Sequence, residues 1–96
     1  MDISKADIIV SMAGRDKGGL FYVLRVEGGY AYLVNGKQRT MDNPKRKKLK
    51  HLRFAARIDS NVAQKILRGD KVASSELRRD LAIYGQTFTV RTKEAE

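Results

Sequence analysis

Leu20-Phe21-Tyr22-Val23-Leu24-Arg25-Val26-Glu27-Gly28-Gly29-Tyr30-Ala31-Tyr32-Leu33-Val34-Asn35-Gly36 is the stretch that decides the fold. Two runs rich in β-branched and aromatic residues, Leu20 to Val26 and Tyr30 to Val34, flank Gly28-Gly29, which has the two-residue length and the tolerance of positive φ that a tight hairpin turn requires. Asn35-Gly36 is a second hairpin signal, the strongest in the chain, and it predicts a further strand over Lys37-Gln38-Arg39-Thr40-Met41, ended by Asp42-Asn43-Pro44. Upstream, Ile8-Ile9-Val10-Ser11-Met12 reads as a strand closed by Ala13-Gly14. Downstream, Lys48 to Phe54 alternates as a fifth strand.

Five short antiparallel strands in about fifty residues cannot bury both faces as an open sheet, so a small, strongly bent barrel is expected over residues 1–54. The pattern then changes period. Ile58, Val62 and Ile66 recur every four positions, with Asp59 or Ser60 as N-cap and Gly69 past the end, which predicts a short amphipathic helix. Leu77, Leu81 and Tyr84 predict a second between Ser74 or Ser75 and Gly85, with Glu76 near its positive end. Thr87 to Val90 alternates like an edge strand, and Arg91 to Glu96 reads as a solvated tail. The fold class is thus mainly β within α+β: a five-stranded barrel followed by a helical appendage, residues 55–96, that leans on it.

Charge is distributed unevenly. The chain of 96 residues has a formal net charge of +9, and the segment Lys37 to Arg53 holds +7 of it: Lys37, Arg39, Lys45, Arg46, Lys47, Lys48, Lys50 and Arg53 against Asp42 alone. Residues 1–36 balance at zero. Six cations within nine residues repel one another unless a polyanion compensates, so nucleic acid is the expected partner. Tyr30 and Tyr32 share a face opposite Leu33, which makes them candidate stacking platforms for bases, core packing being the alternative. His51 stands beside Lys50, with phosphate contact or packing as its roles.

Several classes are excluded or disfavoured on the same grounds. With no cysteine there is no thiolate site, and the chain suits a reducing, cytoplasmic compartment. Acids at Asp2 and Asp7 sit where a secretory signal needs positive charge, and no apolar run approaches the ~20 residues of a membrane span. No carboxylate pair or base-partnered nucleophile is placed by spacing, so the expectation is a non-enzyme with no cofactor, metal or small-molecule substrate. The turn Gly14-Arg15-Asp16-Lys17-Gly18-Gly19 lacks both the Lys-Ser/Thr ending of a P-loop and GxGxxG spacing. Gly14 and Gly18 serve the turn, as do Gly28, Gly29 and Gly36, while Arg15 and Lys17 stand on its rim.

Val10, Gly14, Lys17, Gly18 and Val23 together resemble the KOW motif, a strand-loop-strand element of ribosomal proteins and transcription elongation factors; Leu20-Phe21-Tyr22 departs from it, being bulky where the pattern has a further small residue. The hairpin ending Leu33-Val34-Asn35-Gly36, the basic run and Lys50-His51-Leu52 resemble the large-subunit ribosomal protein fourteen family of archaea and eukaryotes and its short bacterial relatives. The resemblance extends to about residue 54. It implies an SH3-like barrel of the KOW type that binds RNA, above all large-subunit rRNA, with ribosomal proteins as further neighbours. The contacts it implies are Arg15 and Lys17 in the loop and the cations from Lys45 to Arg53. Reversing Lys45, Lys47 and Lys48 to glutamate should then abolish binding with little change in melting temperature. The alternative from another class is an interaction module docking an acidic protein of the transcription or translation machinery.

Overall fold

The computed structural model describes residues 2–95, with side chains through Gln86. It is an α+β fold dominated by a five-stranded antiparallel sheet: β1 (Ile8–Ser11), β2 (Leu20–Glu27), β3 (Tyr30–Val34), β4 (Lys45–Lys48) and β5 (Leu52–Ala56), followed by α1 (Asn61–Arg68) and α2 (Ser74–Ala95). The strand order is β4-β3-β2-β1-β5. β4 and β5 are therefore the two edges, yet only the 3₁₀ turn Leu49–His51 separates them in sequence. Four residue steps reach at most about 14 Å, whereas the edges of a flat five-stranded sheet stand about 19 Å apart, so the sheet must curl. Among the described residues no hydrogen-bonded ladder joins its edges, so the sheet is curled but not closed.

The curl gives the sheet two buried faces. Period-two alternation sends Ile9, Phe21, Val23, Ala31 and Leu33 into the concave side, closed over by Ile3, Leu49 and Leu52. Ile8, Tyr22 and Val34 point the other way, against Val62, Ala63 and Ile66 of α1 and Leu77 and Leu81 of α2. At eight residues α1 is too short to be stable alone, and the apolar stripe of each helix is covered by the sheet.

Side-chain hydrogen bonds tie the layers. The hydroxyl of the fully buried Tyr22 bonds the Asp80 carboxylate and lies 3.1 Å from Ser60 Oγ, which also accepts from Ala63 N as the N-cap of α1. Burial and the hydrogen bond to Asp80 push the Tyr22 hydroxyl well above the ordinary phenol range. One buried tyrosine thus fixes both helices to β2. Arg57 Nε and Nη2 donate to the buried Asp7 carboxylate at 2.7 and 3.0 Å, holding the N-terminal segment against the end of β5.

Three expectations are corrected. The strand expected over Lys37 to Met41 does not form. The Asn35 Oδ1 accepts from the amides of Lys37 and Arg39, and Arg39 O accepts from the amides of Asn35 and Gly36, so the chain closes a compact turn and pairs with β3 only from Lys45 onward. The fifth strand begins at Leu52, because the backbone winds into a 3₁₀ turn at 49–51. The second helix does not stop at Gly85: its backbone runs through Thr87 to Val90, where an edge strand was expected, and on to Ala95 in place of the tail, of which Glu96 lies outside the described residues. A helix satisfies its own amides and carbonyls, whereas an added strand would need a free sheet edge to pair with.

Candidate nucleic-acid interface

Four consecutive cations on a strand cannot share a face. In β4, Lys45 and Lys47 stand opposite Leu33 and Ala31, on the concave side, while Arg46 and Lys48 stand opposite Tyr32 and Tyr30, on the outer side. The basic run is therefore split across two surfaces. It is not the single ridge that its sequence implies.

Lys47 departs furthest from expectation. It is 9% exposed, and its Nζ donates to Ser11 Oγ at 2.8 Å, to Ala13 O at 2.6 Å and to the Asp16 carboxylate. Those three bonds use all the protons of an ammonium group, so Lys47 is a structural cation and not a phosphate contact. Its effect is local order. Together with Gly18 N to Ser11 O and Gly19 N to Asp16 O, at 2.7 and 2.9 Å, it pins the loop 13–19 against β4 and leaves Arg15 and Lys17 exposed on the outside. Gly14 and Gly18 adopt φ values of 84° and 88° there, as a loop this tight requires.

Burial opposes a charge on Asp16, but the hydrogen bonds from Lys47 and Ser11 and the lysine charge outweigh it and hold the carboxyl below its ordinary value of 3.8. A depressed carboxylate adds stability that is present above its unfolded pKa and is lost as pH falls through the folded one. Acid melts should therefore fall below about pH 4 in part through Asp16. Lys47→Ala should cost about 2 kcal/mol at neutral pH, since Asp16 is half-buried and rehydrates in part. That corresponds to a fall of roughly 8–16 °C in melting temperature, with a shallower acid slope than the wild type. Superimposable melts for the two proteins from pH 7 to 3 would contradict the assignment.

Between the pinned loop, the turn 35–39 and α2 runs an open groove of about 1220 Å³. It is lined by Arg15 and Lys17 of the loop, Lys37 and Arg39 of the turn, Lys45, His51, and Arg78 of α2, which donates from Nη1 to Gly36 O at 2.6 Å. Among the described residues Asp16 is the only acid lining the groove, and Lys47 already engages it. Among the described residues, Arg15, Lys17, Lys37, Arg39, Lys45 and Arg78 make no ion pair. Three segments distant in sequence thus deliver six unneutralised cations to one concavity, where low-dielectric walls focus their field.

The remaining predicted contacts lie elsewhere. Lys50 borders a smaller hollow with Asp2, Ile3 and Phe54, and Arg53 is exposed on β5 opposite Val10. Tyr30 and Tyr32 are half-buried on the outer face, each with one ring face covered by a guanidinium: Arg46 lies 3.7 Å from the Tyr30 centroid and Arg25 3.9 Å from that of Tyr32. Sequence reasoning missed Arg78, which sits on a helix beyond the motif. It also missed Arg25, which a register shift in β2 turns to the outer face opposite Tyr32.

Among the described residues no cluster of His, Asp or Glu could hold a metal, and no helix is long and apolar enough to cross a membrane. No protein-family model matches the chain, and no curated protein does.

Proposed function

We propose that the protein is a non-catalytic RNA-binding protein that seats the sugar-phosphate backbone of structured RNA in the groove between the loop 13–19 and the turn 35–39. The observation that carries this reading is the convergence, among the described residues, of six cations without an ion pair on one concavity whose single carboxylate is engaged by Lys47. Cations arranged around a groove, with hydrogen-bond donors at different heights, read backbone shape rather than base edges. Neither a cofactor nor a small substrate is needed.

The KOW-like residues sharpen the reading to large-subunit rRNA and a cytoplasmic, ribosome-associated role. The strong curl of the sheet, although its edges stay unjoined, supports reading it as an SH3-like, incompletely closed barrel of the KOW type, and the loop pinned by Lys47 is the one the motif spans. Ultraviolet crosslinking in cells, followed by sequencing of the bound RNA, tests the ribosomal part. Enrichment of one large-subunit rRNA helix is the expected result, and scattered messenger fragments would overturn it.

A further inference from the structure

The bulge that re-aims β2 builds a second surface. Register shifts between Val23 and Arg25, so that Tyr22 stands opposite Val34 and Arg25 opposite Tyr32, all on the outer face; uninterrupted alternation from Tyr22 would have turned Arg25 inward. The outer face of β2, β3 and β4 then carries two rows, Arg25-Tyr32-Arg46 and Glu27-Tyr30-Lys48, each read straight across the register. The Arg25 guanidinium lies over the Tyr32 ring and that of Arg46 over the Tyr30 ring. Guanidiniums stacked on rings have given up little further freedom when their edge N–H groups meet a phosphate, and they stay weakly hydrated. Glu27 pairs with Arg25 at 3.1 Å, whereas Arg46 and Lys48 meet no carboxylate among the described residues.

Because Lys45 faces the groove and Arg46 and Lys48 face outward, this lattice and the groove lie on opposite faces of the same edge strand. We infer that the arginine–tyrosine lattice is a second site for a nucleic-acid backbone, so that one molecule holds two RNA segments at once. The inference rests on the groove being the first RNA site. An acidic protein surface fits less well, since two preoriented planar guanidiniums offer paired donors suited to phosphodiester oxygens spaced along a strand.

The test is the mass of the complex, read by sedimentation with excess RNA hairpin at low salt. Wild-type protein should carry two hairpins per chain. The variant Arg25→Gln with Arg46→Gln should carry one, its second binding step weakened roughly tenfold or more and its first nearly unchanged. As a variant that keeps the charge, Tyr30→Leu with Tyr32→Leu should also weaken the second step. One hairpin on the wild type overturns this inference while leaving the groove standing; none overturns both. Two hairpins on both variants, or displacement of the second hairpin by polyglutamate, would likewise overturn it.

Discussion

Reversing Arg15, Lys17 and Lys37 together to glutamate should weaken RNA binding by roughly 100-fold or more, since every phosphate no longer neutralised keeps its counterion and each new carboxylate repels the backbone. The melting temperature should stay within about 4 °C of the wild type, as surface substitutions do. All three side chains are exposed and make no ion pair among the described residues, so the fold has little to lose. Filter binding of a labelled hairpin at fixed salt, beside a thermal melt, reads both numbers. The variant that the sequence alone recommends, reversal of Lys45, Lys47 and Lys48, is a poor instrument. It would place a carboxylate beside Asp16 in a nearly buried position, and weakened binding would then report a damaged fold. Undiminished binding by the Arg15, Lys17 and Lys37 variant, with an intact melt, would rule out the groove as the RNA site.

Gly36→Ala should be the most damaging single methyl in the chain. Gly36 has φ 77°, and a Cβ there would stand 2.2 Å from Ser74 O and 3.0 Å from both Leu77 Cβ and Arg78 Cγ. The first turn of α2 rests directly on this turn. Left-handed backbone costs an alanine about 1 kcal/mol, and backbone overlap adds enough to bring the loss to roughly 3 kcal/mol or more. The expected fall in melting temperature is about 12–24 °C. Gly29→Ala supplies the comparison, since Gly29 has φ 81° but nothing within 4 Å of its added Cβ, and it should lose only the backbone part. Equal losses for the two would mean that α2 does not dock on the turn. RNA affinity should fall with Gly36→Ala as well, because the same packing brings Arg78 to the groove.

Local signals carried most of the framework, and the failures have particular causes. The strands around Gly28-Gly29 were legible because turn chemistry and alternation agree there, and α1 was legible because Ser60 and Gly69 cap it at both ends. The basic run misled because its density concealed its period. Read at period two, Lys45-Arg46-Lys47-Lys48 already divides into two faces, and only tertiary contact with Ser11, Ala13 and Asp16 decides that Lys47 is interior. Asn35-Gly36 was recognised as a turn, but the reach of the Asn35 side chain to two amides, which delays the next strand, depends on backbone positions four residues away. Arg25 was hidden by a bulge that no local propensity marks, and Arg78 by its distance in sequence from everything it touches.

If phosphates held by unneutralised cations in the groove supply the binding free energy, affinity must depend steeply on salt. Titrating the affinity for a structured RNA hairpin across salt concentration, with protein in excess, measures this directly. Five phosphate contacts predict a log-log slope of about −4, and the Arg15, Lys17 and Lys37 reversal should flatten it by about 2.4. A wild-type affinity that stays level across the titration would contradict phosphate binding in the groove.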